Sequence, residues 1–177
     1  FGSSQISGAL SVRKDSGFAA VTDLKGKTIL FGGGKRAMGS YIAVTAILKA
    51  NGLEAGKDYR VKFAKNPPSA VIGAFNKAAA AAGSGDVILQ VGAVQKKIDV
   101  SQMTILANSE KFIHLPWAVK GDMPADKAEK IAAVMTGLKT SDPAVLRSAK
   151  VTNFVAASDA DFVKAREVVK YVTGEDL

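Results

Sequence analysis

The sequence predicts an α/β protein with a largely parallel sheet, and three observations support that prediction. Short β-branched and apolar runs alternate with segments of helical periodicity through the first two thirds of the chain, as strands joined by crossover helices do. Glycine or proline separates many of these runs, which is typical of the turns between strands and helices. From Pro124 onward the apolar spacing is helical. The strands are therefore expected before Pro124.

The strands are predicted from alternating or continuous apolar runs. Residues 1–7 are small and polar and are expected to fray. Residues 114–119 are expected to be extended, and Pro116 confines them to an edge or crossing position. Asp86 is expected just before the fourth strand. The predicted strands are residues 9–12, 27–31, 59–64, 87–89 and 104–107.

The helices are predicted from apolar spacing, with capping residues at several ends. Pro68 suits the first turn of a helix that carries Val71 and Phe75 on its apolar face. The alanine run at 78–82 either extends that helix or packs closely under it. Ser158 is a predicted N-cap. The other predicted helical segments are residues 21–26, 39–50, 94–98, 124–138, 143–150 and 159–173.

A glycine loop at residues 32–34 separates a strand from a helix and is followed by Lys35 and Arg36. Glycine has no Cβ, so a ligand can approach the backbone N–H groups closely. Together with the unpaired first amides of the helix, these groups favour an anion. The alternative is a tight turn that needs glycine only for its shape. This stretch alone leaves both interpretations open.

The composition limits the classes of function. The 177 residues include no cysteine, which excludes disulfides and thiolate metal sites. The net charge is +8, but the lysines are scattered and few aromatic residues are available to stack on bases, so no nucleic-acid partner is expected. No apolar run reaches the roughly 20 residues of a membrane span. The chain begins at Phe1 and is therefore expected to be a processed protein or a fragment.

Other site motifs are weaker. Gly32-x-Gly34-x-x-Ala37 fits a relaxed dinucleotide fingerprint, but Lys65 stands near the place where that motif requires an acidic residue. His114 is the only histidine, so a zinc site would need mainly carboxylates, which is uncommon. Asp86 is either a functional carboxylate or a turn residue that bonds its own backbone. No enzyme signature is present.

Several phrases together resemble one family. The runs SVRKDSG and TDLKGKTILF, and the later ILKANGLEAGKDYRVKFA, are similar to the middle of the phosphate/phosphonate-binding subunits of ABC transporters. DMPADKAEKI and FVAASDADFVKAREVVK resemble the closing helices of that family. The resemblance runs from about Gly8 to Gly174. It implies the type II periplasmic-binding-protein fold, which has two α/β lobes with mainly parallel sheets, joined by a hinge.

The resemblance also implies a division of the chain. Residues 1–24 would form part of lobe 1 and the first crossing strand. Residues 25–110 would form lobe 2, and residues 111–177 the second crossing strand and the closing helices of lobe 1. The segment that builds most of lobe 1 in the family has no counterpart here, so a fragment is expected, with an intact mass above 18.4 kDa.

The site that the resemblance implies departs from the family pattern. Where phosphonate binders carry a Ser-Thr-Ser-Gly run, this chain has Arg36-Ala37-Met38-Gly39, and the family histidine after the next strand falls near Pro67. A charge-assisted bond from Arg36 would offset much of the lost hydroxyl bonding. Asp86 matches the acidic position of the family. The implied ligand-binding residues are Gly34, Lys35, Arg36, Ala37, Met38, Gly39, Asp86 and His114.

The sequence therefore predicts a soluble periplasmic protein that captures a small oxyanion in an interlobe cleft and delivers it to the permease of an ABC importer. We expect no cofactor, no bound metal and no catalysis, and a lipid anchor before Phe1 stays open. The alternative is a copper or redox accessory protein on the same fold, using Met38 and His114.

Overall fold

The computed structural model describes residues 2–149 and 151–176, with the backbone alone at 139–141. The chain divides into two compact units. The sheet unit comprises Ile6–Phe112 and the segment from Lys164 onward, and the helical unit comprises the segment up to Gln5 and Ile113–Val163. The lobe boundaries implied by the family resemblance stay a prediction.

Five strands form one sheet in the order β3-β2-β4-β1-β5. β2 runs parallel to β3 and to β4, whereas β1 runs antiparallel to β4. The predicted α/β class is thus confirmed. The expected fraying of residues 1–7 is wrong in part, because Ile6 and Ser7 are buried within β1. The strands are β1 Gln5–Arg13, β2 Thr28–Gly32, β3 Arg60–Ala64, β4 Ala81–Gly85 and β5 Met103–Ile113.

The helices agree closely with the sequence prediction. A π-helical turn, Met38–Ile42, leads directly into the first α-helix. Ser158 occupies the N-cap position of the turn Asp159–Phe162 before the last helix, and its amide donates to the Asp161 carboxylate at 2.7 Å. Lys150, the last residue of the helix predicted at 143–150, lies outside the described residues. The α-helices are α1 Ala43–Ala50, α2 Pro67–Phe75, α3 Gly92–Gln95, α4 Ala125–Ser141, α5 Pro143–Ser148 and α6 Val163–Thr173. In the part of the chain that is described, no helix has the length and apolar character needed to cross a bilayer.

The fourth strand lies earlier than predicted. It is Ala81–Gly85, not 87–89, and the last residues of the alanine run begin this strand, so the run does not extend α2. The other interpretation is confirmed, because Ala82 packs closely against Val71 and Ala74 of α2. Small residues are required there because β4 lies between close neighbours. A Cβ on Gly83 would collide with the Ser40 carbonyl oxygen and lie 2.6 Å from the Phe31 ring. Asp86 therefore follows the carboxyl end of β4 instead of preceding a strand.

Residues 114–119 also differ from the prediction. They form no strand, and Leu115 has a left-handed φ of 52°. Strand pairing ends at Ile113, before the segment that contains Pro116. The backbone here is irregular because a left-handed residue and a proline follow each other closely.

The sheet unit has an apolar cluster on each face of the sheet. Ile29 and Phe31 of β2 pack with Val44 and Leu48 of α1. The opposite face of the sheet packs against α2 and α3, with Ala82, Val71 and Val94 in that cluster. Alternate residues of a strand point to opposite faces, so both helical layers are held on the same sheet. This packing fixes where the loops after β2, β3 and β4 emerge.

Candidate functional site

Three loops leave the sheet unit at the carboxyl ends of the parallel strands. Residues 33–37 follow β2, residues 65–66 follow β3 and residues 86–87 follow β4. We call this set of loops the carboxyl edge. In open α/β sheets, ligands bind outside the carboxyl ends of the strands. Seven of the eight predicted site residues lie on this edge or in the π-helical turn beside it.

The glycines of the loop have different structural roles. A Cβ on Gly32 would collide with the backbone of Pro67, and Gly33 has a left-handed φ of 93°. Both positions therefore need glycine for shape. Gly34 does not, since its φ is not left-handed and a Cβ there would have no atom within 4 Å. Glycine at this position leaves an open approach to the backbone, which favours the anion-facing interpretation.

The helix start behind the loop lacks a side-chain cap. Ala37 is the N-cap residue of the π-helical turn and makes no side-chain capping bond, whereas Asn66 accepts from the Ser69 amide of α2 at 3.0 Å. The first amides of a helix have no intrahelical acceptor. At the start of α2 the Asn66 side chain accepts from one of these amides. At the start of the π-helical turn no side chain does so, and its first amides stay available to an anion.

Ser40 holds the loop and the helix start together. Its buried hydroxyl donates to the Gly32 carbonyl oxygen. The Ala37 amide donates to Gly34 at 3.0 Å, and the Ile42 amide donates to Ala37 at 3.1 Å. These bonds fix the backbone on both sides of Lys35 and Arg36 before any ligand binds. The sequence did not predict this positioning role of Ser40, although Ser40 directly follows the residues aligned with the family's hydroxyl run.

The carboxyl edge carries three exposed cations. Lys35 and Arg36 are both exposed, and no carboxylate of the described residues forms an ion pair with either. Lys65, which the sequence analysis weighed only against dinucleotide binding, follows β3 and is exposed at the same edge. Its position directly after a strand was the signal that could have identified it. Unneutralised positive charge at this edge favours an anionic ligand.

Asp86 places a carboxylate on the same edge. Its amide donates to the Ser7 carbonyl oxygen at 3.0 Å, which anchors the backbone to β1. Its Oδ1 atom is buried and has no hydrogen-bond partner among the described residues. Leaving a buried acceptor unpaired is costly, so such an atom calls for a donor. The turn interpretation requires a bond between this side chain and its own backbone, and none is found among the described residues.

The two residues of the copper alternative lie in different units. Met38 belongs to the sheet unit and packs against the cluster of Ile6, Ala43 and Phe112. His114 belongs to the helical unit, where it is exposed and its amide donates to the Ser4 carbonyl oxygen at 3.0 Å. Met38 is occupied in packing, as most methionines are. A role for His114 in ligand binding stays a prediction.

A model of one protein family matches residues 1–162 and is described as "ABC transporter, phosphonate, periplasmic substrate-binding protein". The chain belongs to this family. Members of this phosphonate-binding family are periplasmic components of ABC transporters, so the predicted transport class and periplasmic location are confirmed. The comparisons give no support to the copper alternative.

Solved structures agree with the predicted fold of this phosphonate-binding family member. A Xanthomonas citri protein bound to ATP matches with a TM-score of 0.82 and 14% identity, over 98% of this chain and 68% of that one. PhnD1 from Prochlorococcus marinus, in complex with methylphosphonate, matches with a TM-score of 0.79 and 13% identity, over 97% and 68%.

A third match extends over less of the other protein. The binding protein of an ABC phosphonate transporter from Pseudomonas aeruginosa gives a TM-score of 0.75 and 16% identity, over 96% of this chain and 58% of that one. At these identities the matches establish the periplasmic-binding-protein fold, and they confirm the predicted fold class.

Proposed function

We propose that this protein captures a small oxyanion of the phosphonate or phosphate type at the carboxyl edge and delivers it to the permease of an ABC importer. The observation that carries the proposal is the unpaired Oδ1 atom of Asp86 on the same edge as an uncapped helix start. Family membership supports the transport role. PhnD1 from Prochlorococcus marinus, which shares the fold, was solved with methylphosphonate.

The anion would be held mainly by backbone and by charge. The Gly34 amide and the first amides of the π-helical turn would donate to the anion, and Arg36 would supply a charge-assisted bond. Such a bond contributes about 1.5 to 3 kcal/mol, against about 1 kcal/mol for a neutral one. Arg36 therefore offsets much of the loss of the three family hydroxyls. Lys35 and Lys65 add attraction at longer range.

Asp86 would select the protonation state of the ligand. The buried Oδ1 atom of Asp86 lacks a donor, so we expect it to favour a ligand that presents a proton. A monoprotonated phosphonate or phosphate offers one on oxygen, and an aminoalkyl phosphonate offers one on nitrogen. Sulfate is fully ionised at neutral pH and offers none, so it would leave the Asp86 oxygen unpaired beside a second anion.

Isothermal titration of the intact mature protein with methylphosphonate, phosphate, phosphite and sulfate tests the proposal. We expect micromolar binding of at least one protonated oxyanion, which corresponds to about 8 kcal/mol, and weaker binding of sulfate. Asp86→Asn should reduce the preference over sulfate at least tenfold, because an amide can also donate to an ionised oxygen. Absence of binding by all four anions, or an unchanged preference in Asp86→Asn, would contradict the proposal.

We also propose that the ligand leaves the protein chemically unchanged, as delivery to a permease requires. Phosphorus NMR of ligand recovered after prolonged incubation measures this directly. The expected result is a single resonance identical to that of the starting compound, and any new phosphorus species would show catalysis. That the protein has no nucleic-acid partner stays a prediction. Whether a lipid anchor precedes Phe1 stays an open question.

A further inference from the structure

The opposite edge of the sheet unit has a second concentration of positive charge. The amino ends of β2 and β3, the carboxyl end of β1 and the residues before β4 surround an open cavity of about 440 Å³. β2 is 5 residues long, so this cavity lies roughly 16 Å from the carboxyl edge at about 3.3 Å per residue. We call it the basic pocket. Its cationic lining residues are Arg13, Lys27, Arg60 and Lys77.

One of the four cations, Arg13, already has a counter-charge and is held in a fixed position. Arg13 pairs with Asp15 at 2.8 Å and donates to the Ala74 carbonyl oxygen at 3.2 Å. Its side chain is only 16% exposed. Among the described residues that line the pocket, Asp15 is the only one with a carboxylate. The pairing therefore leaves the remaining cations without a counter-charge from the lining.

The other three cations line the pocket from three places in the chain: Lys27 directly precedes β2, Arg60 begins β3 and Lys77 follows α2. Arg60 is oriented by a bond from Nε to the Thr28 hydroxyl at 3.1 Å, which leaves its terminal nitrogens for another acceptor. Lys27 lies 6.0 Å from the centre of the Phe18 ring. Among the described residues, no carboxylate lies within ion-pair distance of Lys27, Arg60 or Lys77. Three like charges around one cavity repel each other unless an anion lies between them.

Lys77 is in a backbone conformation that favours glycine. The Ala78 amide donates to Gly73 at 2.9 Å and the Lys77 amide donates to Ala74 at 3.1 Å, which is the Schellman motif at the end of α2. Lys77 occupies its left-handed position with a φ of 65°. A glycine there would avoid the conformational cost. The lysine accepts that cost and places a cation in the lining of the pocket.

We propose that the basic pocket is a second anion site, which binds a small molecule with two or more phosphate groups. Three unneutralised cations from three places in the chain match a ligand with several negative charges better than a ligand with one. The inference is independent of the ligand at the carboxyl edge, because the two sites share no residue. Inorganic pyrophosphate is a suitable probe, since it is compact and carries several negative charges at neutral pH.

The test is a titration of the intact mature protein with pyrophosphate at fixed ionic strength, measured by isothermal titration calorimetry. Lys77→Gly should weaken binding at least tenfold, while the midpoint of thermal unfolding without ligand stays the same or rises because the left-handed strain is relieved. Lys96→Gln is the control, since Lys96 is exposed and lies outside the lining and its loss changes the net charge equally. It should change the affinity less than twofold.

A third variant distinguishes binding at the basic pocket from binding at the carboxyl edge. Arg36→Ala removes a carboxyl-edge cation and should leave pyrophosphate binding at the basic pocket unchanged. Equal losses in Lys77→Gly and Lys96→Gln would show general attraction by net charge and overturn the proposal. Loss of pyrophosphate binding in Arg36→Ala with none in Lys77→Gly would place the anion at the carboxyl edge and overturn it as well.

Discussion

At the scale of single residues, Gly34 and Asp86 carry the two observations that favour a ligand site over an ordinary turn. The sequence left the glycine run and Asp86 each with two interpretations, since glycine content and a single aspartate are compatible with either. In the structure, the backbone conformation and packing at positions 32 and 33 require glycine, whereas Gly34 lies in open space and does not need to be glycine for its shape. The structure also shows a buried, unpaired Oδ1 on Asp86. Such facts depend on neighbours distant in sequence, so composition could not predict them.

Arg36 is expected to carry the largest single side-chain contribution to oxyanion binding. Arg36→Ala removes an exposed guanidinium that has no ion-pair partner among the described residues, so its loss should not disturb the fold. We expect the affinity for methylphosphonate to fall at least tenfold in isothermal titration, in line with a charge-assisted bond of about 1.5 to 3 kcal/mol. The exposed Arg147 in α5 provides the matched control Arg147→Ala. Equal affinities of wild type and Arg36→Ala would remove Arg36 from the site.

Tyr59 is expected to limit stability at alkaline pH. Burial raises the pKa of Tyr59 from 10.0 to about 12, and the neighbouring Thr45 hydroxyl opposes this only in part. The unfolded chain ionises near its ordinary pKa of about 10, so the folded state loses stability as pH rises from about 10 toward 12. Urea unfolding at pH 9 and pH 11 measures the loss, which Tyr59→Phe should reduce. An identical decline in Tyr59→Phe would assign the alkaline sensitivity to other groups.

At the scale of elements, the strand built from small residues was the main error of sequence prediction. Strands β2 and β3 and the helix at 39–50 could be predicted, because the periodicity of their apolar residues is visible in the local sequence. β4 has the sequence Ala-Ala-Gly-Ser-Gly, which has low β-propensity and no apolar alternation. It forms a strand because tertiary packing on both faces demands small side chains. The displaced strand also explains why Asp86 was expected on the wrong side of it.

Close packing of β4 against the π-helical turn predicts a clear contrast between two glycines. Gly83→Ala would place a Cβ against the Ser40 carbonyl oxygen and the Phe31 ring, so we expect a loss of about 1 to 3 kcal/mol in the free energy of unfolding. Gly34→Ala has open space and should change stability by less than about 0.5 kcal/mol. Urea unfolding of both variants decides the matter. Similar stabilities of the two variants would contradict the packing argument.

At the scale of the whole molecule, phrases from several parts of the chain identified the family before any geometry was known. The family model matching residues 1–162 bears that resemblance out. The ligand is harder to derive, because the residues aligned with the hydroxyl run of the family have changed to Arg36-Ala37-Met38-Gly39. A fold tolerates such changes in a loop, while the selectivity of a site depends on each donor and acceptor. Fold and transport class therefore followed from sequence, whereas the proposal for the chemistry of the site depends on the structure.

The most direct test of oxyanion binding at the carboxyl edge is a methylphosphonate titration of the intact mature protein, followed residue by residue in amide ¹H–¹⁵N NMR spectra. We expect the largest shifts at Gly34, Met38 and Gly39, with a further shift at Asp86, whose amide reports on its carboxylate. Binding accompanied by unchanged signals at these four residues, with the shifts concentrated elsewhere in the chain, would contradict this expectation.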